Sequence, residues 1–240
     1  MDLTELTSGV DPQIHWYYQT KKIPLLRAFA TVAQAGGEPW TCLDIGAGSG
    51  FFSTTLADAY PSAIAQTVLV DTGYTDQELT GPVIKRRDLP ARIEHSYVLL
   101  MDVLEHLDDD LAMLQQLHQR STGRNRYFIS VPAFQCVWSY HDVSLGHKRR
   151  YTKASLQRVL DQAGFQIDRI YYIYGLIFPI VWAYRKLHRV PVAKSDMRPV
   201  HPAVLNWLLK VVNAIELQFV KGNRLLGLTC VAEGTFGGDD

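Results

Sequence analysis

The sequence has little cysteine: Cys42, Cys136 and Cys230, no two of them close in the chain. The lack of any Cys-x-x-Cys pair argues against a zinc ribbon or a disulfide framework, and a reducing, cytoplasmic setting is expected. An excess of charge is also missing. Lys plus Arg and Asp plus Glu balance at 24 each, so no overall field draws the chain to a polyanion and nucleic acid is not an expected partner. Residues 1–10 carry Asp2 and Glu5 and no apolar run, which is not the pattern of a signal peptide. Long hydrophobic runs are absent as well. The longest uncharged one, 170–184, is broken by Gly175 and Pro179 and falls short of the roughly 20 apolar residues of a spanning helix. It reads as a buried or interfacial element.

What is present is a globular composition, 47% hydrophobic over 240 residues, enough for one domain of the larger kind. Short apolar runs alternate with helical patterns, which suggests an α/β sheet. Strands are expected over 41–45, 63–70, 97–101, 127–131, 165–173 and 228–232. Helices are expected over 51–60, from the Asp108-Asp109-Asp110 start onward, and over 153–163 behind a Thr152 cap. After Pro202 an amphipathic helix carries Val204, Leu208, Val211, Val212, Ile215 and Phe219 on one side.

The first strand runs straight into Gly46-Ala47-Gly48-Ser49-Gly50. Glycines in a strand-to-helix turn allow unusual backbone angles and close approach of a ligand. The dinucleotide spacing G-x-G-x-x-G fails here. Its third glycine would be Phe51 counted from Gly46, or Ser53 counted from Gly48, so a nicotinamide-dependent reductase is disfavoured. Leu43-Asp44-Ile45-Gly46-Ala47-Gly48-Ser49-Gly50 instead resembles motif I of the class I S-adenosylmethionine-dependent methyltransferases. Leu99-Leu100-Met101-Asp102-Val103-Leu104-Glu105-His106-Leu107 resembles that family's motif IV, although Ser96-Tyr97 stand where many relatives have an acidic residue.

The resemblance implies a Rossmann-like fold, a mostly parallel seven-stranded sheet with helices on both faces, and S-adenosylmethionine as cofactor. Asp44, Gly46, Ala47, Gly48 and Gly50 would form the cofactor turn, with Asp44 suited to the ammonium. Asp71, at a strand end, would accept from the ribose hydroxyls beside Thr72. Asp88 is a looser candidate for the adenine side. Met101, Asp102 and Val103 would line the methionine end. The implied organisation is a single domain over 1–240: a cap segment 1–39, a cofactor-binding half 40–131 and a substrate-binding half 132–240 with apolar helices.

In open α/β sheets ligands bind at the carboxyl ends of the strands, so the loop after 127–131 belongs to the substrate. His141 is the candidate general base, with a ring that titrates near neutral pH, or else it holds the loop. His147 is a second candidate. Asp142 neighbours His141, but a His–Asp dyad is not implied. Trp138, His147 and Arg149, with Tyr17 and Tyr18 from the cap segment, are candidate substrate contacts. Lys148, Arg149 and Arg150 are either an anion site or a solvated charge run. No metal is expected, since His141 and His147 stand six apart without supporting ligands.

The expected reaction is methylation of an oxygen on a small or lipid-linked, hydrophobic acceptor; a non-catalytic cofactor-binding subunit is the alternative. Aromatic and basic residues around 170–184 suit peripheral contact with the inner face of a membrane. They would be an apolar lid, with Leu176, Ile177, Phe178, Ile180 and Trp182 opening near the methyl group, or else helices packed on the sheet.

Overall fold

The computed structural model describes residues 10–187, 203–219 and 222–238. The expectations for 1–9 and Pro202, and the basic residues His188 and Arg189 expected to flank the apolar stretch, lie outside them.

Helix α1 (Trp16–Gln34) precedes strand β1 (Trp40–Ile45), helix α2 (Phe51–Ala59), and strands β2 (Ile64–Val70) and β3 (Val83–Arg86). Then follow β4 (Ile93–Glu94), β5 (Ser96–Met101), a 3-10 turn at Leu104–His106, α3 (Asp110–Gln119), β6 (Ser121–Thr122) and β7 (Asn125–Pro132). The rest comprises a short helix α4 (Tyr140–Ser144), α5 (Lys153–Gln162), β8 (Gln166–Ile173), α6 (Phe178–Leu187), α7 (Ala203–Phe219) and β9 (Thr229–Phe236).

Seven strands form one sheet in the order β3-β2-β1-β5-β7-β9-β8. It is parallel except for β9, which runs antiparallel to both β7 and β8. The expected fold class is the observed one. Alternate residues of each strand feed the two faces, as a side-chain period of two requires. Leu43, Ile45, Val98 and Leu100 pack with Leu114 and Leu117 of α3 and Leu156 and Leu160 of α5. Cys42, Tyr97, Leu99 and Met101 pack with Leu25 and Phe29 of α1 and Phe52 and Leu56 of α2. The chain proceeds outward from β1 to β2 and β3, then returns to place β5 on the other side of β1. The carboxyl ends of β1 and β5 therefore flank the crevice where the strand order reverses.

Two elements depart from expectation. The apolar stretch 170–184 is not one element. Its first part is the end of β8, Tyr174 turns with φ +65°, and α6 begins only at Phe178. Helix α7 turns its polar residues inward. Asn206, Asn213 and Leu217 are its buried residues, and Val204, Trp207, Leu208, Ile215 and Phe219 are exposed. Asn206 explains the orientation: its side chain accepts from the Trp16 amide at 2.9 Å and donates to the Ile14 carbonyl at 3.0 Å, tying α7 to the start of α1. Arg27 adds a bond to the Leu217 carbonyl at 2.5 Å. Helix α6 has no buried residue. No described helix is long and apolar enough to cross a membrane.

Candidate functional site

The glycine turn is shaped by close approach. Gly46 has φ +65° and Gly50 φ +72°, the left-handed region that a side chain disfavours. A Cβ on Gly46 would lie 2.7 Å from Val103 Cγ2, and one on Gly50 2.9 Å from Leu69 Cδ1. Parallel register brings the next strand end alongside: Ile45 pairs with Val70, and Asp71 follows. One oxygen of Asp71 accepts from the Gly48 amide at 2.8 Å, the other from the Gly73 amide at 2.8 Å. Tyr74, which carries no motif signature, donates its hydroxyl to the Gly48 carbonyl at 2.8 Å.

Asp44 is withdrawn behind this turn, 2% exposed, and accepts from the Ser53 hydroxyl at 2.7 Å. Burial pushes its carboxyl up to about 6; the Ser53 bond opposes the shift and the charge of Asp71 adds to it. Two carboxylates so placed around one turn suit a cationic ligand.

At the end of β5, Asp102 takes φ +57° while its amide bonds the Ser130 carbonyl at 2.9 Å. Sparsely populated angles of this kind collect at functional sites. Its carboxylate pairs with Lys21 and accepts from the Tyr17 hydroxyl at 2.9 Å. The Lys21 ammonium also donates to that hydroxyl at 2.7 Å, and Lys21 itself is 1% exposed. Burial alone would raise the Asp102 carboxyl, but Lys21 and Tyr17 hold it below the ordinary carboxylate value. Sequence reasoning missed Lys21. The available cue was its spacing, four residues after Tyr17 on one face of a helix.

The loop between β7 and α5 is ordered by Asp142. Its carboxylate accepts from the Ser139 amide at 2.9 Å, from His147 Nδ1 at 2.9 Å and from Arg150 Nε at 2.7 Å. Burial works against ionisation, but these donors hold the carboxyl well below its ordinary value. A His–Asp dyad therefore exists, with His147 as its histidine. The His147 ring stands edge-on to His106, with centroids 4.7 Å apart, and 6.3 Å from the His141 ring. Beside them the Glu105 side chain is fully buried, and neither carboxylate oxygen has a hydrogen-bond partner among the described residues. Burial, and then the charge of Asp102, drive its carboxyl far above the ordinary value.

Gly46, Asp71, Thr72, Asp88, Asp102 and Val103 are brought together around a cleft of about 490 Å³, which His106 also lines. Ala47 and Gly48 are buried in the turn. Other expected contacts fall elsewhere. Met101 is 2% exposed and its side chain belongs to the core. Tyr18 is 1% exposed, its ring against Phe51 and Phe52, so it packs α1 onto α2. The Arg149 guanidinium is engaged internally: it donates to the Leu107 and Asp108 carbonyls at 2.9 and 2.7 Å and pairs with Asp110 at 2.9 Å, fastening the loop to the start of α3. With Arg150 on Asp142 and Lys148 3.1 Å from Asp108, the basic run serves internal pairs. Trp138 and His141 are partly buried on the loop. Leu176, Ile180 and Trp182 point outward and Ile177 is buried; none of the expected lid residues lines this cleft.

Comparison with known proteins agrees with this geometry. The methyltransferase-domain family matches residues 15–170. No curated protein sequence matches the chain. Among solved structures, a SAM-dependent methyltransferase from Thermotoga maritima superposes with a TM-score of 0.52 at 15% identity, covering 92% of each chain. A chain of the complex between the Haloferax volcanii Trm112 methyltransferase activator and a methyltransferase superposes with a TM-score of 0.51 at 16% identity, covering 92% of this chain and 94% of that one. These two likenesses are to the fold. The family match spans most of the sequence, from the start of α1 to β8, and with it the chain belongs to the methyltransferase-domain family, as an S-adenosylmethionine-dependent enzyme of the Rossmann-like class I fold.

Proposed function

We propose that this methyltransferase methylates an oxygen of a hydrophobic or lipid-linked acceptor, met at the cytoplasmic face of a membrane on which α6 and α7 rest. The observation that carries the reading is the orientation of α7: Asn206 bonds the start of α1 while Trp207 and Phe219 stand 62% and 79% exposed. Contiguous exposed apolar surface of this kind marks an interaction site, and tryptophan and tyrosine with basic residues at the helix end, here Trp182, Tyr184 and Lys186 of α6, suit a membrane–water boundary.

The cleft fits the cofactor. Asp71 and Asp102 line it with carboxylates, and Gly46, which packs directly on the cleft-lining Val103, leaves Asp44 just behind the turn. S-adenosylmethionine, when bound, supplies a methyl group on a positively charged sulfur. Asp71 and Thr72 would take the ribose hydroxyls, Asp88 the adenine side, and Asp44 the ammonium end. Val103 and the Tyr17–Asp102 pair close the methionine end and exclude water. The protein's main task is alignment of acceptor oxygen, methyl carbon and sulfur. His141 would receive the proton of the acceptor hydroxyl, and Trp138 and His147 of the same loop would contact the acceptor.

The test is transfer of labelled methyl groups from S-adenosylmethionine into a total cell extract, followed by partition between organic and aqueous phases. Label is expected in the organic phase, as an alkali-stable ether or a labile ester. Label confined to water-soluble products sinks the acceptor reading. His141→Ala should slow transfer by about 10²–10⁴ with cofactor affinity kept; a rate within a few-fold of the parent removes His141 as base.

A further inference from the structure

We propose that Glu105, His106 and His147 form a site for a divalent transition-metal cation of the zinc type, set between the cofactor cleft and the acceptor loop. One ligand atom from each residue lies within 4.8 Å of the other two. A carboxylate with two imidazoles is a donor set that binds zinc and leaves a coordination position open. The ligand atoms of a tetrahedral zinc, at about 2.0–2.1 Å from the metal, stand roughly 3.3 Å apart, so side-chain rotations of about an ångström close the cage.

Glu105 is the independent observation that points to a ligand. Both of its oxygens are buried and lack a hydrogen-bond partner among the described residues, although its backbone is fixed, with the Lys148 amide bonding the Glu105 carbonyl at 2.7 Å. Buried carboxylates are normally paired or coordinate a metal. The surroundings of His147 also match a metal ligand. Its Nδ1 is held by Asp142 at 2.9 Å, the carboxylate–histidine arrangement that orients an imidazole and leaves Nε2 for a cation. Asp142 is in turn fixed by Arg150. His106 carries the set to the cleft wall. A cation there would border the cleft through His106, and its open position could take an acceptor oxygen and favour loss of its proton. His147 then spends Nε2 on the metal, which leaves proton acceptance to His141.

The site stands on these three residues whatever the acceptor is, so its test needs no acceptor. The full chain is stripped with chelator, then titrated with Co²⁺, followed by visible absorption, and with Zn²⁺ in competition; thermal unfolding is read in parallel. We expect one Co²⁺ per chain with the intense bands of a four- or five-coordinate site, displaced by Zn²⁺, and a raised unfolding midpoint. Glu105→Gln and His106→Ala should each weaken binding at least tenfold, and Asp142→Asn by about 10–100-fold through the orientation of His147. Circular dichroism checks that the variants are folded; should Glu105→Gln fail to fold, His106→Ala and His147→Ala carry the test. Absence of saturable Co²⁺ binding by the folded parent overturns the proposal, as does binding unchanged in the folded Glu105 or His106 variant. Either result leaves the acceptor reading intact, with His147 held by Asp142 as a loop residue instead of a ligand.

Discussion

Asp142 bonds His147, five residues ahead at 2.9 Å, and not its neighbour His141. Helix α4 produces this choice. Ser139 and Asp142 form a capping box at its start, which turns the Asp142 carboxylate back into the loop, where Arg150 meets it. Adjacent residues on a helix diverge, whereas residues beyond its end return. Asp142→Ala leaves the Arg150 guanidinium, only 5% exposed, without its carboxylate. Breaking a buried pair in this way costs about 3–5 kcal/mol. The Asp142 carboxyl is held below its ordinary value, so its contribution is complete above the unfolded-state pKa of about 4 and fades as pH falls further. Urea unfolding of parent and variant should differ most at neutral pH and converge in acid; a constant gap down to acid pH contradicts the assignment.

Asp44 has the opposite sign. Its carboxyl titrates at about 6 in the folded protein, above the unfolded value of about 3.9, so ionisation disfavours the fold increasingly as pH rises from about 4 to about 6. The shift of two units corresponds to about 3 kcal/mol. Asp44→Asn, which keeps an acceptor for Ser53, should therefore match or exceed the parent's stability at pH 7 while binding S-adenosylmethionine more weakly. The parent's own affinity should fall below pH 6 and the variant's should not. Calorimetry over pH 5–8 decides; equal affinities at pH 7 remove Asp44 from the cofactor site.

Lys21 and Asp102 are unequal partners. The lysine side chain is 1% exposed and the aspartate side chain 26%. Removing the aspartate strands a buried ammonium, and removing the lysine strands a carboxylate that water still reaches. Asp102→Ala should therefore cost more than Lys21→Met, about 3 kcal/mol or more for the former, and the double variant should cost less than the sum. Additive losses in denaturant unfolding would show that the two side chains do not interact.

The turn can be tested from both sides. Gly46→Ala places a methyl 2.7 Å from Val103 Cγ2 at φ +65°, where left-handed backbone alone costs about 1–2 kcal/mol. It should lower the unfolding midpoint and impair cofactor binding together. Asp71→Ala removes the acceptor for Gly48 and Gly73 and should weaken S-adenosylmethionine by about 1.5–3 kcal/mol. Cofactor titration of both variants checks this; unchanged affinity in either makes its residue purely structural.

The parts legible in the sequence were those written in consecutive residues. A strand that ends in alternating glycines, and later strands that each end on a carboxylate, are local patterns, and the parallel register of β1, β2 and β5 then brings Gly46, Asp71 and Asp102 together. Lys21, Tyr74 and Glu105 were illegible because their roles depend on distant partners. Lys21 meets a residue 81 positions away; its spacing from Tyr17 marks a shared helix face but not that distant carboxylate. Arg149 and Tyr18 looked like surface chemistry in a run of basic or aromatic residues. Their partners, the carbonyls before α3 and the rings of α2, are set by packing. The orientation of α7 was hidden for a similar reason. Its apolar side is evident in the sequence, but which side meets α1 is decided by two hydrogen bonds from Asn206.

That orientation supports the last prediction. A helix normally buries its apolar stripe because water is driven from it, at about 25 cal/mol per Å². In α7 the stripe is left outside, where Val204, Trp207 and Phe219 are 70%, 62% and 79% exposed, and α6 adds Ile180 and Leu187 at 69% and 80%. If a bilayer surface met these helices, it would take their apolar side chains while leaving Lys186 among the headgroups. The protein should sediment with vesicles that contain anionic lipid, less as salt is raised, because basic residues near such a surface contribute about 1 kcal/mol each. Trp207→Glu together with Phe219→Glu should abolish sedimentation without lowering the unfolding midpoint, since both side chains make little contact with the fold. If the parent stays in the supernatant at low salt, or if the double variant still sediments, the exposed face serves some other partner and membrane docking is wrong.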